Sequence, residues 1–269
     1  PLNAQEKRDA WPGGFTEFIL KTAGKPEIER YPGHEFFPEL MGAGRRSADR
    51  GKFRQLTAQM AMLFLTRRKT NGERLCDIRA SDIDDFYYEH LDFDPASPEP
   101  VRFVNVLNKI RFFLGDRRKK LAAHEAIHLI LLIDSLQDDY TRSWERNFAS
   151  AFDRFREEVA KDKKTRYEDS PGEFWLRYAN WTRVSADHGD TIQRRHEFFC
   201  HKMIEWLSPQ VKDPIRVFGP IERELIYYRD ERECQVCHNK VPWSEAEIHH
   251  VRPHADGGAT TIANGLLVC

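Results

Sequence analysis

The sequence predicts a mainly α-helical protein that ends in a small module of different construction. Apolar residues recur at helical spacing through most of the 269 residues. The segment after about residue 229 consists instead of short runs around Cys, His, Gly and Asn. Hardly any stretch alternates polar and apolar residues with the period of a strand. The composition, 40% hydrophobic and 32% charged, is that of a globular chain with a sizeable core.

The predicted helices follow one another with short breaks. Ser81, with Asp84 three residues later, has the spacing of a capping box. Ser170, Pro171 and Glu173 combine an N-cap residue, a proline in the first turn and a glutamate three residues after the cap, which predicts a helix start. Helical spacing of apolar residues predicts helices over residues 45–69, 101–114, 121–136, 141–159 and 191–207.

The change in character along the chain predicts two domains. We place the boundary between Leu207 and Arg229, with the segment SPQVKDP as the connector, because its prolines and polar residues are typical of a linker. Residues 1–215 are therefore predicted to form a long helical domain. Residues 216–269 are predicted to form a separate small module.

Charge and hydropathy exclude several classes of protein. The formal net charge is −1, so DNA binding would depend on local basic clusters. Such clusters are RRSADRGKFR, RRK, RRKK, KDKKTR and the pair Arg194–Arg195.

No apolar run is long enough to cross a bilayer, so no membrane partner is expected. The first residues show no signal-peptide pattern, and a cytoplasmic location is expected. The chain does not begin with Met, so we expect that its first residue is not the native start.

Three of the five cysteines lie near the C-terminus. Cys234 and Cys237 have the C-x2-C spacing that lets a tight turn direct two thiolates at one Zn²⁺. His238 follows at a point where such a turn needs a left-handed residue. Cys269 is a third candidate ligand for this structural zinc. A tetrahedral site takes four ligands, so we expect a second cysteine pair that continues past the last residue.

The segment IHHVRPHADGGATTIANGLLVC lies between Cys237 and the end of the chain. It contains adjacent histidines before x-x-Pro, a Gly-Gly pair, Asn264 and Leu-Leu-x-Cys, in that order and after a C-x2-C. Together these features resemble the HNH endonuclease family. The resemblance implies a ββα-metal site braced by a zinc knuckle. It also implies hydrolysis of phosphodiester bonds in double-stranded DNA.

The resemblance implies a role for each residue of the site. His250 is expected to act as general base, and a histidine suits this role because its pKa lies near neutrality. His249 is expected to bind the catalytic divalent ion, Mg²⁺ or Mn²⁺, and Asn264 to hold the hairpin and orient the base. Gly257 and Gly258 are expected to form a tight loop that leads to a helix. The family's last metal ligand would lie beyond the final residue, so we expect weak or no cleavage from this segment alone.

Two alternative interpretations stay open. The first is a helical DNA-binding protein whose zinc ribbon is purely structural. The second is a zinc peptidase, because HEAIH places His124 and His128 one helical turn apart with Glu125 as base. Asp134 falls at the spacing of a third ligand, although Leu131 stands where that class needs a glycine. The plainer interpretation is that both histidines extend an apolar stripe at the rim of a helical core.

The opening segment PLNAQEKRDAWPGGFTEFI resembles a stretch of the ParB-like restriction nucleases of the GmrSD type. The resemblance implies that the chain is the C-terminal part of a larger defence enzyme that cuts modified or phage DNA. The Asp-Gly-Gln-Gln-Arg motif of that family is not in this sequence, so nucleotide hydrolysis is assigned to no residue. A homo-oligomer and a partner defence subunit both stay open.

Overall fold

The structure is a computed structural model that describes residues 2–41, 51–70, 74–115, 119–162 and 173–269. The predicted helix start at Ser170 and Pro171 lies outside these residues, as do parts of three of the basic clusters. The chain divides into two compact units. The helical unit comprises Pro1–Asp134 and Phe148–Trp206, and the C-terminal unit comprises Ser135–Asn147 and Leu207–Cys269.

Eleven α-helices and one two-stranded sheet lie in the described part of the chain, which confirms the predicted mainly α-helical class. The helices are α1 (Ala4–Arg8), α2 (Gly14–Ala23), α3 (Phe36–Leu40), α4 (Lys52–Lys69), α5 (Ala80–Glu89), α6 (Pro98–Leu114), α7 (Ala123–Asp139), α8 (Phe148–Asp162), α9 (Glu173–Trp181), α10 (Gly189–Leu207) and α11 (Pro220–Arg229). The strands are β1 (Glu247–His250) and β2 (Gly265–Val268), and the 3₁₀ helices are Arg142–Asn147, Trp243–Glu245, His254–Asp256 and Ile262–Asn264. A membrane-spanning helix is not found within the described ranges.

The start of α5 differs from its prediction. Asp82 accepts a hydrogen bond from the backbone N–H of Arg79 at 3.0 Å, so the N-cap residue is Arg79 and the predicted pairing of Ser81 with Asp84 is wrong. Asp84 instead accepts a hydrogen bond from Arg8 Nε at 2.6 Å. Because Arg8 is buried, its guanidinium needs a carboxylate partner, and Asp84, which lies beyond the capping positions of α5, supplies it.

Aromatic side chains form a large part of the core of the helical unit. Phe15 and Phe18 of α2, Phe64 of α4 and Phe103 of α6 are all buried. The rings of Phe18 and Phe103 lie 5.7 Å apart, and those of Phe64 and Phe103 lie 5.4 Å apart in an edge-to-face arrangement. Such pairs stabilise by about 0.5–1.5 kcal/mol beyond the burial of their area. The helical spacing of aromatic residues therefore reflects packing between α2, α4 and α6.

A buried ion pair ties the first helices to α4. Arg54 Nε lies 2.8 Å from Asp9 Oδ2, and both side chains are 2% exposed. Arg54 also donates to the carbonyl of Gly24 at 3.1 Å, and Gln5 donates to Asp9 Oδ1 at 3.0 Å. Arg54 belongs to one of the basic clusters considered for DNA contact. Its burial assigns it to the core instead, because a guanidinium held this way cannot reach a phosphate outside.

The C-terminal unit is organised around the antiparallel pair of β1 and β2. The register pairs Glu247 with Val268 and His250 with Gly265. Arg229, at the end of α11, donates to the carbonyls of Ile262 and Gly265, each at 2.7 Å. These bonds fasten α11 to the start of β2. A small core cluster packs in this unit: Tyr227, Cys234, Val241, Ala246, Leu267 and Val268.

The buried ion pair gives a stability prediction. Asp9→Ala leaves the Arg54 guanidinium buried without its carboxylate, so we expect a loss of about 3–5 kcal/mol in unfolding free energy, measured by urea denaturation. Asp92→Ala is the matched control, because Asp92 is exposed and its removal is expected to change stability by less than about 0.5 kcal/mol. Equal effects of the two substitutions would contradict this account.

Candidate functional site

A tight turn shapes the first half of the cysteine cluster. The backbone N–H of His238 donates to the carbonyl of Cys234 at 2.8 Å, which closes the turn over the C-x2-C segment. His238 has a φ of 61°, which confirms the predicted left-handed residue after the cysteine pair. The backbone N–H of Gln235 donates to the carbonyl of Leu267 at 2.8 Å. The turn is therefore fastened directly to β2.

The three C-terminal thiols lie together in a geometry that suits zinc. The Sγ atoms of Cys234, Cys237 and Cys269 all lie within 4.8 Å of one another. The Sγ atoms of Cys237 and Cys269 are 3.7 Å apart. Two sulfurs of a tetrahedral zinc site, each at about 2.3 Å from the ion, are separated by about 3.8 Å. The cluster can therefore supply three of the four ligands of a zinc ion without rearrangement.

Two thiols of this cluster, those of Cys234 and Cys269, differ in acidity. The backbone N–H groups of Cys237 and Val236 point at the Cys234 sulfur and lower the pKa of its thiol to about 6. Hydrogen bonds from Cys269 to Cys237 and Cys234 raise the pKa of the Cys269 thiol to about 11. Cys234 is therefore the more acidic of these two thiols, and a bound zinc ion would release the protons that the cluster holds, because zinc binds thiolates.

The two adjacent histidines of β1 lie in different surroundings. His249 is exposed, and its Nε2 lies 3.4 Å from a carboxylate oxygen of Glu247, two residues earlier on the same face. His250 is half-buried, its ring packs 4.6 Å from that of Phe218, and its Nε2 lies 3.0 Å from Thr260 Oγ1. Successive side chains of a strand point to opposite faces, so the two imidazoles leave β1 on different sides. The sequence placed the two histidines side by side but did not indicate this separation.

Asn264 closes the loop between the two strands. Its Oδ1 accepts from the backbone N–H of Arg252 at 2.9 Å, and its Nδ2 donates to the carbonyls of Arg252 at 3.1 Å and Ala259 at 2.8 Å. A Cβ on Gly258 would lie 1.8 Å from the carbonyl oxygen of Arg252, so only glycine fits there. Gly257 adopts a φ of 88°, which also favours glycine.

The two glycines do not lead to an α-helix, which corrects one expectation. The loop continues through the 3₁₀ helix Ile262–Asn264 and enters β2. Asn264 explains the difference, because its hydrogen bonds to the far side of the loop return the chain alongside β1 for antiparallel pairing. The loop is a hairpin connection between the strands of the site.

A second contact network was missed by sequence reasoning. Asp213 lies in the segment predicted as a connector, yet its carboxylate accepts from the backbone N–H groups of Thr260 and Ile215, each at 2.9 Å. These two N–H groups hold the pKa of the Asp213 carboxyl below its usual value. The carbonyl of Asp213 accepts from Nε2 of His254 at 2.7 Å. Asp-Pro predicts a turn and gives no signal of contact with a loop more than forty residues later.

Burial lowers the pKa of His250, and the neighbouring His254 acts in the same direction. The rings of these two histidines lie 5.8 Å apart. A desolvated imidazole beside a second imidazole favours the uncharged form, because protonation would place positive charge near another group that can also become positive. The arrangement therefore keeps His250 available as a proton acceptor at the end of β1.

The HEAIH motif lies in the core of the helical unit. His128 is fully buried and its Nε2 accepts from Arg195 Nε at 2.8 Å. Glu125 is held by Arg156 through two hydrogen bonds of 2.7 and 2.9 Å. His124 and His128 join no third His, Cys, Asp or Glu in a metal-binding group within the described ranges. The ligand atom of His128 and the carboxylate of Glu125 are committed to arginines, which favours the packing interpretation of this motif.

Part of the chain matches a known protein family. Residues 234–269 match the family described as HNH endonuclease. The matched segment contains the cysteine cluster, both strands and the loop that Asn264 closes. Members of this family are generally nucleases, which act on DNA and use divalent metal ions. The match therefore indicates a nuclease segment. No curated protein and no solved structure matches the chain.

The cysteine geometry predicts zinc binding. We expect the full chain to bind about one zinc ion, and Cys237→Ser to lose it, because two remaining sulfurs cannot replace a three-thiolate set. Metal content by mass spectrometry after gel filtration is the measurement. Cys76→Ser is the control, since Cys76 lies outside the cluster and should leave the zinc content unchanged. Retention of zinc by Cys237→Ser would exclude the cluster as the site.

The buried histidines of the helical unit predict sensitivity to acid. Burial, together with the Arg67 and Arg195 guanidiniums, lowers the pKa of His196 to about 3. In the unfolded chain a histidine has a pKa of about 6.5. Between these two values the unfolded state binds a proton that the folded state does not. Stability is therefore lost as pH falls below about 6.5, by up to about 1.4 kcal/mol per pH unit for this group.

His196→Gln removes this titration and tests its contribution. We expect the slope of unfolding free energy against pH, between pH 6 and pH 4, to be smaller than in the unmodified chain. The expected difference is about 1.4 kcal/mol per pH unit, which corresponds to one proton. His201→Gln is the control, because His201 is exposed on the same helix and should leave the slope unchanged. Urea denaturation at a series of pH values gives the slopes. An unchanged slope for His196→Gln would show that His196 does not control the acid response.

Proposed function

We propose that residues 216–269 form the nuclease module of a metal-dependent endonuclease that hydrolyses DNA phosphodiester bonds. The single observation that carries the proposal is the HNH endonuclease match over residues 234–269. The geometry of the same segment supports it, because the cysteine cluster, the hairpin and the Asn264 closure hold the half-buried His250 at the end of β1.

His250 is proposed as the general base. Hydrolysis needs a group that takes a proton from the attacking water while a new P–O bond forms and the bond to the leaving sugar oxygen breaks. The leaving oxygen then takes a proton from solvent. His250 is supported over other histidines because Phe218 and Thr260 fix its ring, as an oriented base requires. Asn264 supports this position indirectly, since it holds the loop that contains Thr260.

His249 is proposed as a ligand of the catalytic divalent ion, Mg²⁺ or Mn²⁺. Such an ion, when bound, stabilises charge on the phosphate and on the leaving oxygen. His249 offers an exposed imidazole, and the Glu247 carboxylate beside it adds the oxygen donor that these hard cations prefer. The three cysteines are proposed to bind a structural zinc ion, which would fix the turn against β2.

Double-stranded DNA is the proposed partner. We further propose that residues 1–215 are the helical part of a ParB-like restriction protein that acts on modified or phage DNA, alone, as a homo-oligomer or with a partner defence subunit. The resemblance of the opening segment to that family supports this placement. A reducing compartment such as the cytoplasm suits a cluster of free thiols that binds metal.

Plasmid cleavage by the full-length protein tests the proposal. We expect nicking of supercoiled plasmid in Mg²⁺ or Mn²⁺, and we expect His250→Ala to lower its rate by about 100-fold or more, the usual effect of losing a general base. His188→Ala is the control, because His188 is exposed in the helical unit. His249→Ala should instead raise the Mn²⁺ concentration needed for half-maximal rate.

A different result favours the non-catalytic alternative. DNA binding without nicking by the full-length protein in either metal would indicate a helical DNA-binding protein with a structural zinc ribbon. Nicking that survives in His250→Ala at the rate of the unmodified protein would leave the proposed base without support. DNA binding is measured by gel shift on the same preparations, so binding without nicking can be distinguished from nicking that survives in His250→Ala.

A further inference from the structure

Thr260 connects His250 to residues 213–215, a segment of the C-terminal unit that is distant in sequence. Its hydroxyl donates to the carbonyl of Ile215, and the same oxygen lies 3.0 Å from Nε2 of His250. Its backbone N–H donates to Asp213 Oδ2 at 2.9 Å. Thr260 is thus bound through both its main chain and its side chain to residues 213–215, while it contacts the ring of His250.

The hydrogen-bond partners of Thr260 decide the tautomer of His250. A threonine hydroxyl carries one proton, and a backbone carbonyl can only accept. Because that proton is donated to Ile215, the Thr260 oxygen must accept from His250. The proton of the neutral imidazole therefore lies on Nε2, and Nδ1 has the free lone pair. The contact selects which ring nitrogen can take a proton from water.

Asp213 fixes the other end of this chain of contacts. Its two carboxylate oxygens accept from the backbone N–H groups of Thr260 and Ile215, each at 2.9 Å. Thr260 is the residue that contacts His250, and Ile215 is the residue whose carbonyl accepts from the Thr260 hydroxyl. One carboxylate thereby sets the distance between both partners. The residues of the predicted connector belong to the surroundings of the base.

We propose that Thr260 is a positioning residue that holds His250 with its Nδ1 as the proton acceptor, and that Asp213 holds Thr260 in place. The inference deepens the proposed function and depends on it for its catalytic meaning. The hydrogen-bond arrangement itself is measurable without cleavage. Thr260→Val removes the hydroxyl at nearly constant shape, whereas Thr260→Ser keeps it.

Histidine ¹⁵N NMR of the full chain is the direct test, with His250→Gln identifying the resonances. We expect His250 to show a single tautomer with a protected proton on Nε2. Thr260→Val should lose that protection and give averaged ¹⁵N shifts, and Thr260→Ser should restore the original signals. Thr261→Val is the matched control, because this neighbouring residue is exposed and its side chain should leave His250 unchanged. Asp213→Asn should weaken the protection, since one amide oxygen replaces two carboxylate acceptors.

Plasmid nicking by the full-length protein gives the second readout. We expect Thr260→Val to lower kcat by about 10–100-fold with little change in KM, the range seen when a partner that orients a functional histidine is removed, and Thr260→Ser to recover most of it. Unchanged zinc content and circular dichroism show that the variants are folded.

The outcomes separate this inference from the proposed function. A proton on Nδ1 of His250 in the unmodified chain, or identical NMR spectra for Thr260→Val, would overturn the positioning role. A full-length protein that shows the Nε2 tautomer and its loss in Thr260→Val but cuts no DNA would support the hydrogen-bond assignment and remove the proposed function. Recovery of both signals and kcat by Thr260→Ser supports both.

Discussion

The closure of the loop by Asn264 is the constraint on which the arrangement of the site depends. One amide side chain joins Arg252, after β1, to Ala259, ahead of β2, and its oxygen and nitrogen are both used. The closure allows Gly258 to approach Arg252 so closely that a Cβ has no room. It also brings Thr260 back to His250, the last residue of β1. Without this closure, the residues that fix the imidazole would be separated by a flexible loop with a substantial entropic cost to order.

Features with short sequence separation were the ones that the sequence predicted well. The C-x2-C turn and the left-handed His238 depend on a few consecutive residues, and the structure brings the thiols together as the spacing suggests. The helices were recognisable because apolar residues repeat at 3.6-residue spacing wherever a helix packs on a core. Asn264 was found only through family resemblance, because no local rule predicts three hydrogen bonds from one amide.

The features that sequence reasoning missed all depend on distant contacts. Asp84 was assigned to a helix cap, yet its partner Arg8 lies 76 residues away. Asp213 was assigned to a linker, yet it binds Thr260 at a separation of 47 residues. In each case a carboxylate accepts a hydrogen bond from a residue far away in the sequence. The different surroundings of His249 and His250 follow from strand geometry, which becomes usable only once the strand itself is known.

The two histidine motifs show why a spacing alone does not define a metal site. The HEAIH motif has suitable spacing, but His128 is buried and its Nε2 lone pair accepts from Arg195. The cysteine cluster has three sulfurs directed at one another, two of them exposed. Ligand atoms must converge on a common point before an ion can bind. In the described part of the chain only the three C-terminal cysteines do so.

The cysteine cluster and His250 are coupled through β2, which is held at both ends. Gln235 binds the carbonyl of Leu267 near the end of β2, and Cys269 follows that strand directly. Arg229 binds the carbonyl of Gly265 at its start, where the register pairs Gly265 with His250. A strand of four residues gains little stability from its own ladder. The position of His250 therefore depends on Arg229 and Gln235, which bind β2 from outside the hairpin. A metal ion at the thiols would strengthen the attachment at the C-terminal end of β2, the end away from His250.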